Sequence, residues 1–174
     1  MEIVNQMLDH HLEVTDRILE RSSGVPEEVL DQPLLNIEGI DRPATLRATN
    51  ERLVSQLEMW IAALEGAHAT PEPEPSGALG LRRRLAAAGP RFRELVLEPI
   101  EQGRADETFI DATCTPPETF TYGGVLAHVL TFSAVRRTLA IGALESAGVN
   151  DLGSGDPMQY VGGTGSDAAD ITRT

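Results

Sequence analysis

Four histidines (His10, His11, His68 and His128) and one cysteine (Cys114) are the chain's only imidazole and thiol groups. No two histidines stand four residues apart, the spacing that places two ligands one above the other on a helix. A single cysteine rules out a cysteine zinc cage. Every basic residue is an arginine, because the chain has no lysine. Arginine stays protonated and offers a planar fork of donors suited to carboxylate or phosphate. Arg52 and Arg136, pointing together into one end of a helical core, would form a small anion site, with His128 and Tyr122 as hydrogen-bonding partners. The plainer reading is an internal ion pair with Glu51 or Glu58, since a buried arginine needs a counter-charge. A second candidate brings His11 and His128 together on a divalent ion, completed by Asn50, Asp9 or Glu58. A phosphate loop ending in lysine is missing, and so is a Gly-x-Ser-x-Gly nucleophile elbow.

Four amphipathic stretches must position these residues. Val4, Met7, His11, Val14 and Ile18 recur at spacings of three and four, which predicts a helix over Glu2 to Arg21 with His11 facing inward. His10 falls with Gln6, Glu13 and Arg17 on the solvated side. Gly24, able to adopt the left-handed conformation, and Pro26 are expected to end the helix. A loop with Pro33, Gly39 and Pro43 leads to a second helix, from about Ala44 to Glu65, with Leu46, Asn50, Leu53, Leu57, Trp60 and Leu64 inward. The proline-rich acidic run from Pro71 to Gly77 reads as an exposed crossing. The third helix, from about Ala78 to Glu101, turns Leu81, Leu85, Ala88, Phe92 and Leu95 inward, and Gly89-Pro90 is expected to bend it. Residues 103–121 read as irregular around Pro116-Pro117. The fourth helix, Tyr122 to Ala147, carries Val125, Val129 or His128, Phe132, Arg136 or Val135, Leu139 and Ala143 inward and closes at Gly148. The Gly- and Asp-rich residues after it have little to bury. The expected fold is all-α, a single bundle domain over residues 1–161 with a flexible tail over 162–174.

Composition narrows the partners. The 174 residues suit one core, and a net charge of −13 repels phosphate backbones and anionic lipid, so neither nucleic acid nor a membrane surface is an expected partner. No run of apolar residues reaches the roughly 18 to 20 of a spanning helix, and Glu2, Asp9 and Glu13 do not fit a signal peptide. A cytoplasmic address is expected.

Several stretches resemble the DinB/YfiT-like superfamily. They are Met7-Leu8-Asp9-His10-His11, Gln56-Leu57-Glu58-Met59-Trp60, the run from Thr121 to Leu130, and Gly155-Asp156-Pro157-Met158. The resemblance implies a four-helix bundle, often dimeric, with a divalent metal, zinc or nickel, held by three histidines near one end of the core. One of those lies eight residues before the tryptophan of the second helix and two lie four apart on the last. In this chain the corresponding positions hold Arg52, Phe132 and Arg136. The site is therefore expected to be degenerate, with no resident cofactor. Its candidate pocket is lined by His11, Asn50, Arg52, Tyr122, His128, Phe132 and Arg136. Three functions follow: binding of a small anionic molecule in the former metal pocket, a metal-dependent thiol transferase or isomerase using His11 and His128, or a non-catalytic bundle for homodimerisation or partner binding. The sequence supports catalytic and non-catalytic readings alike.

Overall fold

The computed structural model describes residues 2–34, 45–69 and 77–158. Gly39, Pro43, the Pro71–Ser76 part of the acidic crossing and the tail over 162–174 lie outside the described residues. The described chain is mostly helical, as expected for an all-α protein. In order it forms α1 (Glu2–Ser22), the single turn α2 (Glu27–Leu30), α3 (Leu46–Leu64), α4 (Ala78–Glu101), β1 (Thr108–Asp111), β2 (Glu118–Thr121) and α5 (Tyr122–Ser146).

Local chemistry sets the helix ends. Thr45 caps α3 by accepting from the Ala48 N–H, and Thr121 caps α5 by accepting from the Gly124 N–H. Gly66, Gly103 and Gly148, just past α3, α4 and α5, adopt positive φ and close those helices. Gly24 does not adopt it, contrary to expectation. Instead α1 ends through the Ser23 hydroxyl, which donates to the Glu20 carbonyl, and through the Gly24 N–H, which donates to the Arg21 carbonyl.

Ion pairs along the seams give the helix directions. Arg84 meets Glu58 and Arg91 meets Glu65, so α3 and α4 run parallel. Arg82 meets Asp16 and Arg93 meets Asp9, which sets α1 antiparallel to α4. Trp60 packs on His128 and Gln56 on Arg136, so α5 is antiparallel to α3.

Two apolar clusters fill the interior. One joins Leu8, Val54, Leu57, Leu85, Phe92 and Val129; the other joins Val14, Ile18, Leu46, Ala140, Ile141 and Leu144. The buried stripes are rotated slightly from the expected ones. Met7 is 45% exposed and Leu8 takes its place, Val96 replaces Leu95, and Ala140, Ile141 and Leu144 replace Leu139, while Ala143 packs partly buried against them as expected. By length and composition α5 is apolar enough to cross a membrane. Its packing against α1, α3 and α4 accounts for that composition, and two arginines sit at its middle.

Residues 103–121 are not wholly irregular. β1 and β2 form an antiparallel hairpin pairing Thr108 with Thr121 and Asp111 with Glu118. Phe109 and Phe120 are cross-strand partners, and the Phe120 ring meets Trp60 edge-on at 5.2 Å. The hairpin thus covers the Trp60 end of the first cluster.

Candidate functional site

Along α5 the first cluster takes Val125, Leu126 and Val129, and the second takes Ala140, Ile141 and Leu144. Between them Ser133, Arg136 and Arg137 are buried. Facing helices bring polar groups to the same level: His10, His11 and Thr15 from α1 and Gln56 from α3. Arg136 donates through Nη1 to Gln56 Oε1, and Arg137 donates through Nη1 to His11 Nδ1. Ser133 lies one turn before both arginines on α5. The Thr15 hydroxyl donates to the His11 carbonyl at 2.7 Å, which holds the α1 backbone beside the imidazole.

The Arg137 contact fixes the state of His11. Guanidinium can only donate, so Nδ1 must carry the lone pair and the neutral ring carries its proton on Nε2. Burial first, then the charges of Arg137 and His10, push the His11 pKa down to about 3. His11 is therefore uncharged at neutral pH. His10 is also pushed below its ordinary value, chiefly by burial and then by Arg137, while the Gly155 backbone beside it opposes the shift. Arg137 itself, 7% exposed, is pulled down to about 10 by burial. Among the described residues no carboxylate pairs with it, and its hydrogen-bonding partner is a neutral ring.

Among the described residues, three further buried atoms at this level find no hydrogen-bond partner: His11 Nε2, Gln56 Nε2 and Ser133 Oγ. The first two are N–H donors and the third is a hydroxyl that can donate. Around a buried guanidinium, then, the unused groups are donors. Such a layer complements an acceptor-rich species and opposes a cation.

The residues expected to form one pocket are spread along the core. His11 and Arg136 join the polar layer. His128 lies nine residues before Arg137 on α5, about 13.5 Å along the axis, so it does not meet His11. Instead the His128 ring stacks on Phe132 at 4.5 Å, and Arg136 lies over the other end of that column, 5.8 Å from the Phe132 centroid. Tyr122 sits at the hairpin, 5.4 Å from Phe109. Arg52 is half-buried and donates to Met59 Sδ. Asn50 is buried nearer the start of α3, donating to Ser22 Oγ at 2.8 Å. Glu51 and Glu58, the acids considered for Arg52 and Arg136, meet Arg84.

Arg137, Gln56, Ser133 and His10 belong to the layer without having been singled out from the sequence. One signal was available for Arg137: two adjacent arginines at the centre of an otherwise uncharged helical stretch, Tyr122 to Leu144. His10, expected on the solvated side, is 4% exposed because a distant segment at Gly155 covers it. Periodicity within α1 carries no information about that contact.

The positions where the histidines of a metal site are expected from the sequence hold Arg52, Phe132 and Arg136, a set that does not fit a divalent ion. Among the described residues no group of three or more His, Cys, Asp or Glu side chains converges. Arg136 stands where a ligand is expected, and guanidinium has no lone pair to offer. Comparisons with protein-family models, with characterised proteins and with solved structures give no match.

Proposed function

We propose that the chain is a DinB/YfiT-like four-helix bundle that binds a small anionic molecule, a carboxylate or phosphate, in a polar layer between its two apolar clusters. Four long helices and a parallel α3–α4 pair support the architecture. Arg137 carries the functional reading: a buried guanidinium whose partner, among the described residues, is a neutral histidine, with further donors without a partner beside it. An isolated buried charge is unfavourable by several kcal/mol, and an anion on Arg137 removes that penalty. Arg137 with the His11 ring would hold one end of the ligand, and Ser133 and Gln56 Nε2 would donate to its remaining oxygens. Relative to the sequence expectation, the anion site keeps Arg136 and moves from Arg52 to Arg137.

Calorimetric titration with inorganic phosphate and with small mono- and dicarboxylates tests this reading. At least one should bind saturably at one per chain, and Arg137→Gln should weaken it by about 30-fold or more, the range for truncating one partner of a buried charged contact. Binding that survives Arg137→Gln, or no saturable binding by any of these anions, contradicts the proposal. Chelator-sensitive activity together with stoichiometric zinc or nickel would favour the metal-dependent alternative instead.

A further inference from the structure

Beyond α5 the chain does not simply leave the core. Gly148, Gly153 and Gly155 have φ of 90°, 66° and 72°, a backbone conformation that glycine adopts without strain, and they turn the chain back over the seam between α1 and α5. Leu152 is 5% exposed and packs into the second apolar cluster. Arg21 grips the Asp151 carboxylate, with Nε at 2.9 and 3.0 Å and Nη2 at 2.6 Å. Arg17 donates to the Asp151 carbonyl at 2.9 Å.

The next residues lie against the polar layer. A Cβ at Gly155 would stand 3.2 Å from Ile141 Cδ1 and 3.9 Å from Val14 Cγ1, so the backbone runs close against both helices. Ile141 is one turn beyond Arg137, and Val14 is one turn beyond His10. The Gly155 backbone accepts a hydrogen bond from His10, whose ring also feels the Arg137 charge. His10 therefore stands between the returning segment and the buried arginine.

We propose that residues 149–156 are a strap that closes the Arg137 layer from the α1–α5 side and lifts to let a ligand exchange. Arg17, Arg21 and Asp151 form its latch. The identity of what enters rests on the anion reading; the motion does not. The latch consists of exposed groups, which hold weakly in water, and the strap's apolar anchors are Leu152, buried, and Val149, partly buried. Local opening is thus far easier than global unfolding.

Arginine labelling with phenylglyoxal, mapped by peptide mass, separates the two ideas. Arg137 is protected by burial in the closed form and can be labelled only when the segment over it lifts. Asp151→Ala and, separately, Leu152→Ala should each label Arg137 several-fold faster than the parent chain. Arg84, in the opposite α3–α4 seam, and exposed Arg104 should label at unchanged rates in all three proteins. Equal Arg137 rates, no labelling of Arg137 in any protein, or matching acceleration at Arg84, which signals general loosening, would overturn the strap. Added inorganic phosphate or dicarboxylate should slow Arg137 labelling in Asp151→Ala. If neither does, the anion reading fails while the faster labelling still supports the strap.

Discussion

The arginines of the outer seams and the arginine at the centre of α5 live in opposite electrostatic settings. On the outside, Arg21, Arg47, Arg82, Arg84, Arg91, Arg93 and Arg104 each meet at least one carboxylate. The chain has 27 acidic residues against 14 arginines, so counter-charges abound. Arg137 nevertheless faces a neutral imidazole. A seam pair needs only proximity in water and contributes little each. A buried cation is tolerated only with compensation, and among the described residues no acidic side chain supplies it to Arg137; the anion proposed above would.

The comparison can be sharpened by perturbing each setting. The largest effect belongs to the apolar cluster beside the polar layer, where Phe92 is fully buried. Phe92→Ala should destabilise the protein by about 3–5 kcal/mol in urea unfolding, which sets the scale for ordinary core loss. Acid gives the next effect. His11 titrates near 3 when folded and near 6.5 when unfolded. Below about 6.5 the unfolded chain takes up a proton that the folded chain refuses, so its contribution to stability is present above that pH and is lost as pH falls. The slope is at most about 1.4 kcal/mol per pH unit for one histidine, and His10, shifted the same way, adds to it. Asp31 and Asp151, held below 3.8 by their arginines, lose their contributions only at lower pH. Urea midpoints between pH 6.5 and 4.5 should therefore fall in the parent chain and fall less in His11→Asn; equal slopes would mean His11 is not buried neutral.

The outer seams should respond least. Arg84, half-buried between Glu51 and Glu58, should lose about 1 kcal/mol on replacement by glutamine. Arg91→Gln, on the exposed pair with Glu65 and Glu94, should leave the unfolding midpoint unchanged at 0.5 M salt. A large salt-sensitive loss at Arg91 would break the contrast between the two settings.

The four long helices were legible because their signals are local. Thr45 and Thr121 cap, Gly66, Gly103 and Gly148 close, and the apolar spacing sets each inward face to within about one position. The hairpin was hidden because its strands are four residues long, although Thr108-Phe109-Ile110 and Thr119-Phe120-Thr121 carry β-branched and aromatic residues in register. The site was only partly legible. His11 and Arg136 follow from helical stripes. Arg137 does not, because α5 touches three helices and buries more than one stripe, so two neighbouring residues both face inward. His10 and the strap depend on a contact across some 145 residues, which no local pattern encodes.

The central claim, that Arg137 is kept in the core for an anion, is tested most directly by melting temperatures of the parent chain and Arg137→Met with and without the tightest-binding carboxylate or phosphate. Without anion, the methionine variant should be as stable as the parent or more so, because an apolar side chain of similar length replaces a buried charge lacking a counter-ion. With anion at about 100 times its dissociation constant, the parent should gain about 2.7 kcal/mol, roughly 5 to 10 °C at this size, and the variant should gain nothing. A variant that is strongly destabilised without anion, and that shifts with it as much as the parent, would contradict the account.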